Sequence, residues 1–314
     1  MPSLDGPLLK LDRALQQIQA LNAEINQFRS RVNANPDPVR VEFDLEAREH
    51  VVILNVLEEP PAEWSTWVGE IIHNLRSALD HFVWELASVT VGDFDRTDPV
   101  PSWRRGLQFP VLYENKKGGR FPRDLREFTS KQSSGNLHSV PPIAISRIFD
   151  VQPYMVSPGT PSEDRLSRLA QLSNIDKHQT LHVVGIYSVP SPEPLVTLVP
   201  HNVEITNQWV CPHGPIRPEQ VLARLTIRPT GENPHVQVMS HFSPDVSLQD
   251  PSPLTGWEDH LAGALTYLWT AVQGILLTSQ DILAPSTGIR PISGVIVDRR
   301  LMIEHPQHVQ YRFA

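Results

Sequence analysis

The sequence predicts an α+β protein, a helical bundle with a long central helix packed against an antiparallel sheet of four to five strands. Two periodicities support this prediction. Apolar residues recur at helical spacing through much of residues 1–180, whereas residues 181–240 contain short Val, Leu, Ile and Thr runs with a two-residue period. A further long apolar segment follows near residues 256–282, and we expect this helix to return to the bundle.

Start signals place the four long helices of the bundle. The first covers residues 7–33, and the central helix covers about 62–89 after Pro60-Pro61, because proline is tolerated in the first turn of a helix. Capping boxes, in which a Ser or Thr precedes a Glu by three residues, are predicted to open the other two helices. They are Thr160 to Glu163 for a helix over 160–180, and Thr255 to Glu258 for a helix over 256–282.

Strand patterns complete the predicted order of elements. The strands of the sheet are expected at 181–189, 194–199, 202–206, 221–228 and 235–240. A β-hairpin is expected near 39–58, and a short strand at 293–298. Short helices are expected near 121–131 and 141–149. Residues 1–180 then form a mainly helical part with the inserted hairpin, and residues 181–314 form the sheet followed by the returning helix. The two parts are expected to share one core.

Composition narrows the class of protein. The 314 residues carry a formal net charge of −8, so the chain as a whole does not attract nucleic acid or anionic lipid. A single cysteine cannot form an internal disulfide framework and fits a reducing cytoplasm. The longest apolar run, residues 261–277, is interrupted by Gly, Thr and Gln and falls short of the roughly 20 apolar residues of a membrane span. We expect a cytoplasmic protein with no membrane partner and no cofactor.

The central helix has a polar face of unusual composition. At 3.6 residues per turn, its apolar residues fill one half of the cylinder. The other half carries His73, Asn74, Arg76, Ser77, Asp80 and His81, with Glu70 and Glu85 at its margin. A solvated helix face usually carries Lys and Glu instead. This face is therefore predicted to contact another element, a partner or a ligand.

Arg76 and His81 have an R-x4-H spacing on this helix. That motif is similar to the active-site helix of the HEPN superfamily, a group of helical domains that includes metal-independent ribonucleases. The resemblance implies that His81 is a general acid or base acting on RNA and that Arg76 stabilises the charge developing on the phosphate, in a homodimer whose central helices face each other. His73, Ser77 and Asp80 would support this pair. The family favours Asn, Asp or His directly after the Arg, where this chain has Ser77.

Two segments taken together carry a second resemblance. The sequence HNLRSALDH at 73–81, combined with NIDKH at 174–178, resembles an uncharacterised family of bacterial proteins. This resemblance implies no activity. A simpler interpretation of the central helix is also open, because Arg76 and Asp80 are four residues apart and can form an ordinary ion pair. The polar face would then belong to a non-catalytic binding or scaffold protein.

A metal site is the third possibility. His178 and His182 would lie one turn apart if the helix over 160–180 continued to that point, and His73 and Asp80 could complete the ligand set from the central helix. The alternative is that Lys177 and His178 only end their helix, as cations near the negative end of the helix dipole.

A basic segment makes a nucleic-acid substrate credible despite the acidic chain. Residues 103–131 hold eight basic and three acidic residues, and four aromatic residues are interleaved with them: Trp103, Phe109, Tyr113 and Phe121. The residues expected to contact RNA are Arg104, Arg105, Lys116, Lys117, Arg120 and Arg123. The alternative is a solvated loop whose charges aid solubility.

Three functions are therefore carried forward. The first is a metal-independent, HEPN-like ribonuclease, the second is a binding or scaffold protein, and the third is a metal-dependent helical-bundle enzyme. The chain has no phosphate-binding Gly-rich loop, dinucleotide fingerprint, HExxH motif or nucleophile elbow.

Overall fold

The fold was analysed on a computed structural model. It describes residues 2–34, 39–55, 58–91, 106–114, 120–133, 135–188, 196–211, 219–240, 243–249 and 261–283. All of these residues belong to one compact unit, residues 1–283, and residues 284–314 form a second unit outside the described part. The described unit has the predicted α+β architecture.

The helices lie close to their predicted positions. The long ones are α1 (Asp5–Asn33), α2 (Glu63–Val91), α6 (Arg165–His178) and α7 (Leu261–Thr278), and the short ones are α3 (Leu125–Gln132), α4 (Pro142–Asp150), α5 (Pro153–Val156) and α8 (Gln280–Leu283). Helix α2 contacts α1, α6 and α7 and is therefore the central helix. Its apolar half is buried along its length, from Trp64 to Ala87. The predicted return of the last long helix is confirmed, because the Trp269 indole N–H donates to the Leu11 carbonyl at 3.0 Å.

Within the described residues, the strands form three antiparallel sheets. The largest has the order β1-β2-β6-β5, from β1 (Val39–Asp44), β2 (Glu49–Leu54), β6 (Val221–Pro229) and β5 (Val203–Val210). Strand β3 (Val183–Ser188) pairs with β8 (Ser243–Leu248), and β4 (Val196–His201) pairs with β7 (His235–Ser240). The predicted strands therefore exist but do not all share one sheet.

The predicted hairpin supplies half of the main sheet. An isolated two-stranded hairpin is only marginally stable, and β2 buries Val51, Val52 and Leu54. Strand β2 pairs with β6, with Val52 opposite Ala223, so these side chains lie in a four-stranded sheet. Strand β8 was not predicted, because only Val246 and Leu248 mark it as a buried strand.

Nearly all buried apolar residues in the described part of the chain form one cluster. It draws on both halves of the chain, with Leu11, Leu75 and Phe109 from the first and Leu222 and Trp269 from the second. Large aromatic rings fill its centre, and each of the five side chains is at most 1% exposed. Burial of apolar area on this scale is the main driving force for folding.

One described stretch, Leu261–Leu283, is long and apolar enough to cross a membrane by length and composition. Of its apolar window, 56% is buried inside the protein. Burial of this kind is what a core helix shows, and α7 packs against α1, α2 and α6.

The start of α6 differs from the predicted capping box. Residues 161–163 form a separate 3₁₀ turn, Thr160 makes no capping hydrogen bond, and α6 begins at Arg165. The cap is Asp164, whose carboxylate accepts the Leu166 N–H at 2.9 Å. The chain is extended at Asp164, with φ −61° and ψ 150°, and this is the conformation that an N-cap residue adopts. The second predicted box, Thr255 to Glu258, and the strand at 293–298 lie outside the described residues.

We predict that Asp164→Ala lowers the free energy of unfolding by about 1 kcal/mol, because it removes the cap of α6. Thr160→Ala is the matched control, and it should change this free energy by less than half as much. Chemical denaturation monitored by circular dichroism measures both variants. A loss in Thr160→Ala as large as that in Asp164→Ala would contradict the assignment of the cap to Asp164 alone.

Candidate functional site

The residues on the polar face of α2 lie in three different environments. Glu70, His73 and Asn74 border a cleft between α1, α2 and the end of α6. Arg76 and Asp80 hold a neighbouring chain segment. The remaining part of the face, around His81, lies beside the start of α1. Each of these regions has a different chemistry.

Arg76 and Asp80 form a clamp on the backbone of Phe109. The Arg76 Nη2 donates to the Asp80 Oδ1 at 3.0 Å and to the Phe109 carbonyl at 2.6 Å. The Phe109 N–H donates to the same Asp80 oxygen at 2.8 Å. The Phe109 ring is fully buried in the core. The predicted ion pair is present, and its charges also satisfy the backbone groups of a core residue.

The clamped segment, residues 107–113, has two further anchors. The buried Gln152 accepts the Leu112 N–H at 3.1 Å and donates to the Pro110 carbonyl at 2.9 Å. Asn174 on α6 hydrogen-bonds the Tyr113 side chain, while burial raises the pKa of Tyr113. Sequence reasoning did not find Gln152, because a single Gln before a proline carries no signal of burial.

The clamp predicts a strong effect on stability. Asp80→Ala leaves the Phe109 N–H without its acceptor and the Arg76 guanidinium without its carboxylate partner, and it should lower the free energy of unfolding by about 1–3 kcal/mol. Arg76→Ala should have an effect of similar size. Because both variants break the same network, their combination should cost less than the sum. Denaturant titration of the two single variants and the double variant measures this, and strict additivity would contradict the clamp.

The cleft is a broad polar depression with a volume of about 830 Å³. Helices α1 and α2 form its sides, and the last turn of α6 closes one end. Its lining residues are Lys10, Arg13, Gln17, Ser65, Thr66, Gly69, Glu70, His73, Asn74, Asp176, Lys177, His178, Gln179 and Thr180. Three basic residues and two imidazoles thus border the cleft together with two carboxylates.

A chain of hydrogen bonds links α1 to α2 along the cleft. The Lys10 ammonium donates to the Asn74 Oδ1 at 3.3 Å, and the Asn74 amide donates to the Gln17 Oε1 at 2.9 Å. The Gln17 amide then donates to the Glu70 Oε2 at 2.6 Å. Asn74 is only 9% exposed, so this network satisfies a buried polar side chain and fixes its orientation.

The end of α6 approaches α2 closely at Gly69. A Cβ atom on Gly69 would lie 2.4 Å from the Asp176 Oδ1, so any other residue at this position would require the Asp176 carboxylate to move. The neighbouring His73 has its Nε2 3.3 Å from the Ser77 hydroxyl. Gly69 therefore lets α6 bring Asp176, Lys177 and His178 up to the polar face of α2.

The predicted four-residue metal set does not assemble. Helix α6 ends at His178, and Gln179 is extended with φ −158°, so His182 does not lie one helical turn beyond His178. Asp80 is engaged by Phe109 and not by the cleft. Within the described residues, no three His, Cys, Asp or Glu side chains are placed to hold a metal ion together. His73 and His178 nevertheless line the same cleft.

Arg76 and His81 point in different directions. Five residues along a helix rotate the side-chain direction by about 140°, so the clamp side of α2 and the His81 side are separate. His81 is exposed and lies next to α1, with its Nδ1 3.9 Å from the place where a Cβ on Gly6 would be. Within the described part of the chain, His81 makes no hydrogen bond, whereas Arg76 is committed to Phe109.

The basic segment is described only in part. Arg104, Arg105, Lys116, Lys117 and Trp103 lie outside the described residues. Of the interleaved aromatic residues, Phe109 is buried in the core and Phe121 stacks on Tyr154, with ring centroids 4.7 Å apart. The Phe109 ring is therefore not accessible to a base, and one face of the Phe121 ring is covered by Tyr154.

Glu127 organises the described basic residues. Its carboxylate accepts the Arg123 backbone N–H at 3.0 Å and pairs with Arg120 at 2.8 Å and Lys131 at 3.0 Å. These contacts, the Arg123 N–H first, lower the pKa of Glu127 to about 2. The Arg123 side chain stays 77% exposed. The Arg123 Nε lies 4.0 Å from the same carboxylate, so Glu127 neutralises part of the positive charge while most of the Arg123 side chain stays in solvent.

These surroundings show which residues could act together. The cleft combines cations with two imidazoles, the clamp is structural, and His81 lies apart from both. Comparisons of the chain with protein-family models, with curated proteins and with solved structures give no match.

Proposed function

We propose that the protein binds single-stranded RNA in the cleft between α1, α2 and α6. The observation that carries this proposal is the meeting of Lys10, Arg13 and Lys177 in one broad depression beside His73 and His178. Phosphate groups supply most of the affinity of nucleic acid for protein, and they are bound by such cations.

The charges of the cleft favour an anion locally although the chain is acidic. Its three basic residues exceed the two carboxylates, Glu70 and Asp176. Glu70 accepts a hydrogen bond from the neutral Gln17 amide and keeps its charge, so the basic residues exceed the carboxylates by one. A cleft lined by an excess of one sign of charge raises the local concentration of the opposite ion, even when the net charge of the protein has the same sign as that ion.

The basic segment offers a second contact for a long ligand. Tyr113 belongs to this segment, and its side chain is hydrogen-bonded to Asn174 on α6. Asn174 lies about one helical turn before Lys177, which lines the cleft. Beyond the gap in the described chain, Arg120 and Arg123 are 53% and 77% exposed in their side chains. An extended polyanion is a ligand whose length lets it use cations on more than one element.

Removing the cleft cations tests this proposal. The triple variant Lys10→Ala, Arg13→Ala, Lys177→Ala should bind a single-stranded RNA at least tenfold more weakly at moderate salt. Because each lost phosphate contact lowers the slope of log K against log salt by about 0.7 for single strands, the slope should fall by about 2. Fluorescence anisotropy at several salt concentrations measures both quantities.

The matched control removes three cations that do not line the cleft, as Arg31→Ala, Arg48→Ala, Arg228→Ala. This variant has the same net charge as the cleft variant and should bind RNA within about twofold of the unmodified protein. Equal weakening in both triple variants would mean that only total charge matters, and no RNA binding by the unmodified protein would exclude the proposal.

A second candidate is the metal-independent ribonuclease, now with His73 and His178 as its general acid and base. The observation that favours it is that both imidazoles line one cleft, since a positioned imidazole transfers protons near neutral pH. The pair Arg76 and His81 remains the alternative from the HEPN resemblance, and it would act across a homodimer formed by two α2 helices. A cytoplasmic location is part of this proposal, since RNA is available there.

RNA cleavage in the presence of EDTA separates these candidates. If the cleft is catalytic, His73→Ala and His178→Ala should each lower the cleavage rate by about 10²–10⁴-fold, the usual size of general acid–base catalysis. His81→Ala should leave this rate unchanged, and all three variants should unfold at the same temperature. A loss confined to His81→Ala would favour the Arg76 and His81 pair. If the unmodified protein binds RNA but does not cleave it, the ribonuclease is excluded and the RNA-binding proposal stands.

A further inference from the structure

Two histidines face each other at the end of the β4–β7 ribbon. His201 is the last residue of β4 and His235 the first of β7, and they are direct partners in the antiparallel register. Their rings lie side by side, with centroids 4.5 Å apart and planes inclined by 13°. Both side chains are exposed to solvent. This pair is remote in the chain from the residues of the cleft and is not used by the proposed function.

The surrounding turn orients one imidazole. The His235 Nδ1 lies 3.1 Å from the Asn233 carbonyl, an acceptor, so the Nδ1 carries the proton and donates it. The Nε2 of His235 then keeps its lone pair. A hydrogen bond from one ring nitrogen to a backbone carbonyl is the arrangement that orients metal-binding histidines and makes the other nitrogen more basic.

The backbone beneath the pair is also held in place. Asn202, directly after His201, has a positive φ of 52° and donates from its amide to the Glu232 carbonyl at 2.6 Å. Its own carbonyl accepts the Thr230 N–H at 2.8 Å. These bonds tie the end of β4 to the residues just before β7, so the two histidines project from a defined frame.

We propose that His201 and His235 form a surface site for a divalent transition-metal ion of the Cu²⁺, Ni²⁺ or Zn²⁺ class. Opposed residues of antiparallel strands have Cβ atoms about 4.5–5.5 Å apart. A metal bound at about 2.0–2.1 Å from each nitrogen requires the two nitrogens to lie roughly 3 Å apart. The hydrogen bond to Asn233 holds the His235 ring, and the exposed His201 ring can rotate about its side-chain bonds to bring one of its nitrogens towards the His235 Nε2.

The ligand type selects the ion. Imidazole suits Cu²⁺, Ni²⁺ and Zn²⁺, while Mg²⁺ and Ca²⁺ prefer oxygen ligands. Within the described residues no third His, Cys, Asp or Glu joins the pair, so water completes the coordination. Affinity should follow the usual order for nitrogen sites, with Cu²⁺ bound more tightly than Zn²⁺.

The position of the pair gives the metal a structural role. Strands β4 and β7 form a sheet of only two strands, and such a ribbon is marginally stable without further support. An ion that binds both histidines of the folded ribbon cross-links the end of β4 to the start of β7. Because the ion binds the folded state, it stabilises that state in proportion to the logarithm of its concentration above Kd.

Metal titration of matched variants tests the site. The chain has 13 histidines, so the measured quantity is the difference between variants. Isothermal titration with Cu²⁺ and Zn²⁺ should show one site more in the unmodified protein than in His201→Asn or His235→Gln. The control variant His73→Ala, His178→Ala should keep this site. In none of these proteins should Mg²⁺ bind at the histidine pair. Lowering the pH should weaken binding, because protonated imidazole is not a ligand.

A second measurement distinguishes the loss of a metal site from a folding defect in the variants. The apo forms of His201→Asn and His235→Gln should have circular dichroism spectra and Tm values close to those of the unmodified protein, since both positions are exposed. Added Zn²⁺ should raise the Tm of the unmodified protein and of the cleft control, but not of these two variants. The proposal is overturned if the number of sites and the Tm increase are the same in all four proteins, or if the unmodified protein binds neither Cu²⁺ nor Zn²⁺.

Discussion

The contact that fixes the irregular segment 107–113 against the central helix is the clamp of Arg76 and Asp80 on the backbone of Phe109. Charged groups that leave water are costly unless they are paired and hydrogen-bonded. Here each charge meets the other and one polar group of the same residue, at 2.6–3.0 Å. The clamp thereby holds an irregular segment against α2 and keeps the Phe109 ring in the core, where it is 0% exposed.

Helix α2 serves two purposes at once because its two halves differ so sharply. The apolar half is committed to the core along its whole length. The polar half is shared between the clamp, the cleft and the start of α1, so no single function explains all its residues. Asn74 is buried by α1, Arg76 by residues 107–113, and His73 is left at the open cleft. The unusual composition of this face is therefore a consequence of several neighbours rather than of one active site.

Local patterns were enough to predict much of the fold. The apolar stripe and the restart after Pro60-Pro61 placed α2 within two residues at each end, since helical periodicity over many turns is a strong signal. The alternation of residues around 221–228 likewise placed β6. Pairing between strands was not predictable in the same way, because the partner of β2 is a strand about 170 residues later. The prediction that Thr160 to Glu163 begins α6 was wrong, because a local pattern does not show that the chain first forms a separate 3₁₀ turn.

The sequence by itself determined the fold class, the long helices and the presence of an Arg–Asp pair, because each depends on residues within a few turns of one another. Only the tertiary structure decided what those residues do. In the tertiary structure Arg76 donates a hydrogen bond to the Phe109 carbonyl, and His81 lies on another side of α2, next to Gly6. The tertiary structure also brings Lys10, His73 and His178 to one cleft. The physical reason is that a side chain's chemistry is set by its neighbours, and these come from α1, α6 and residues 107–113, which the order of residues along α2 does not specify.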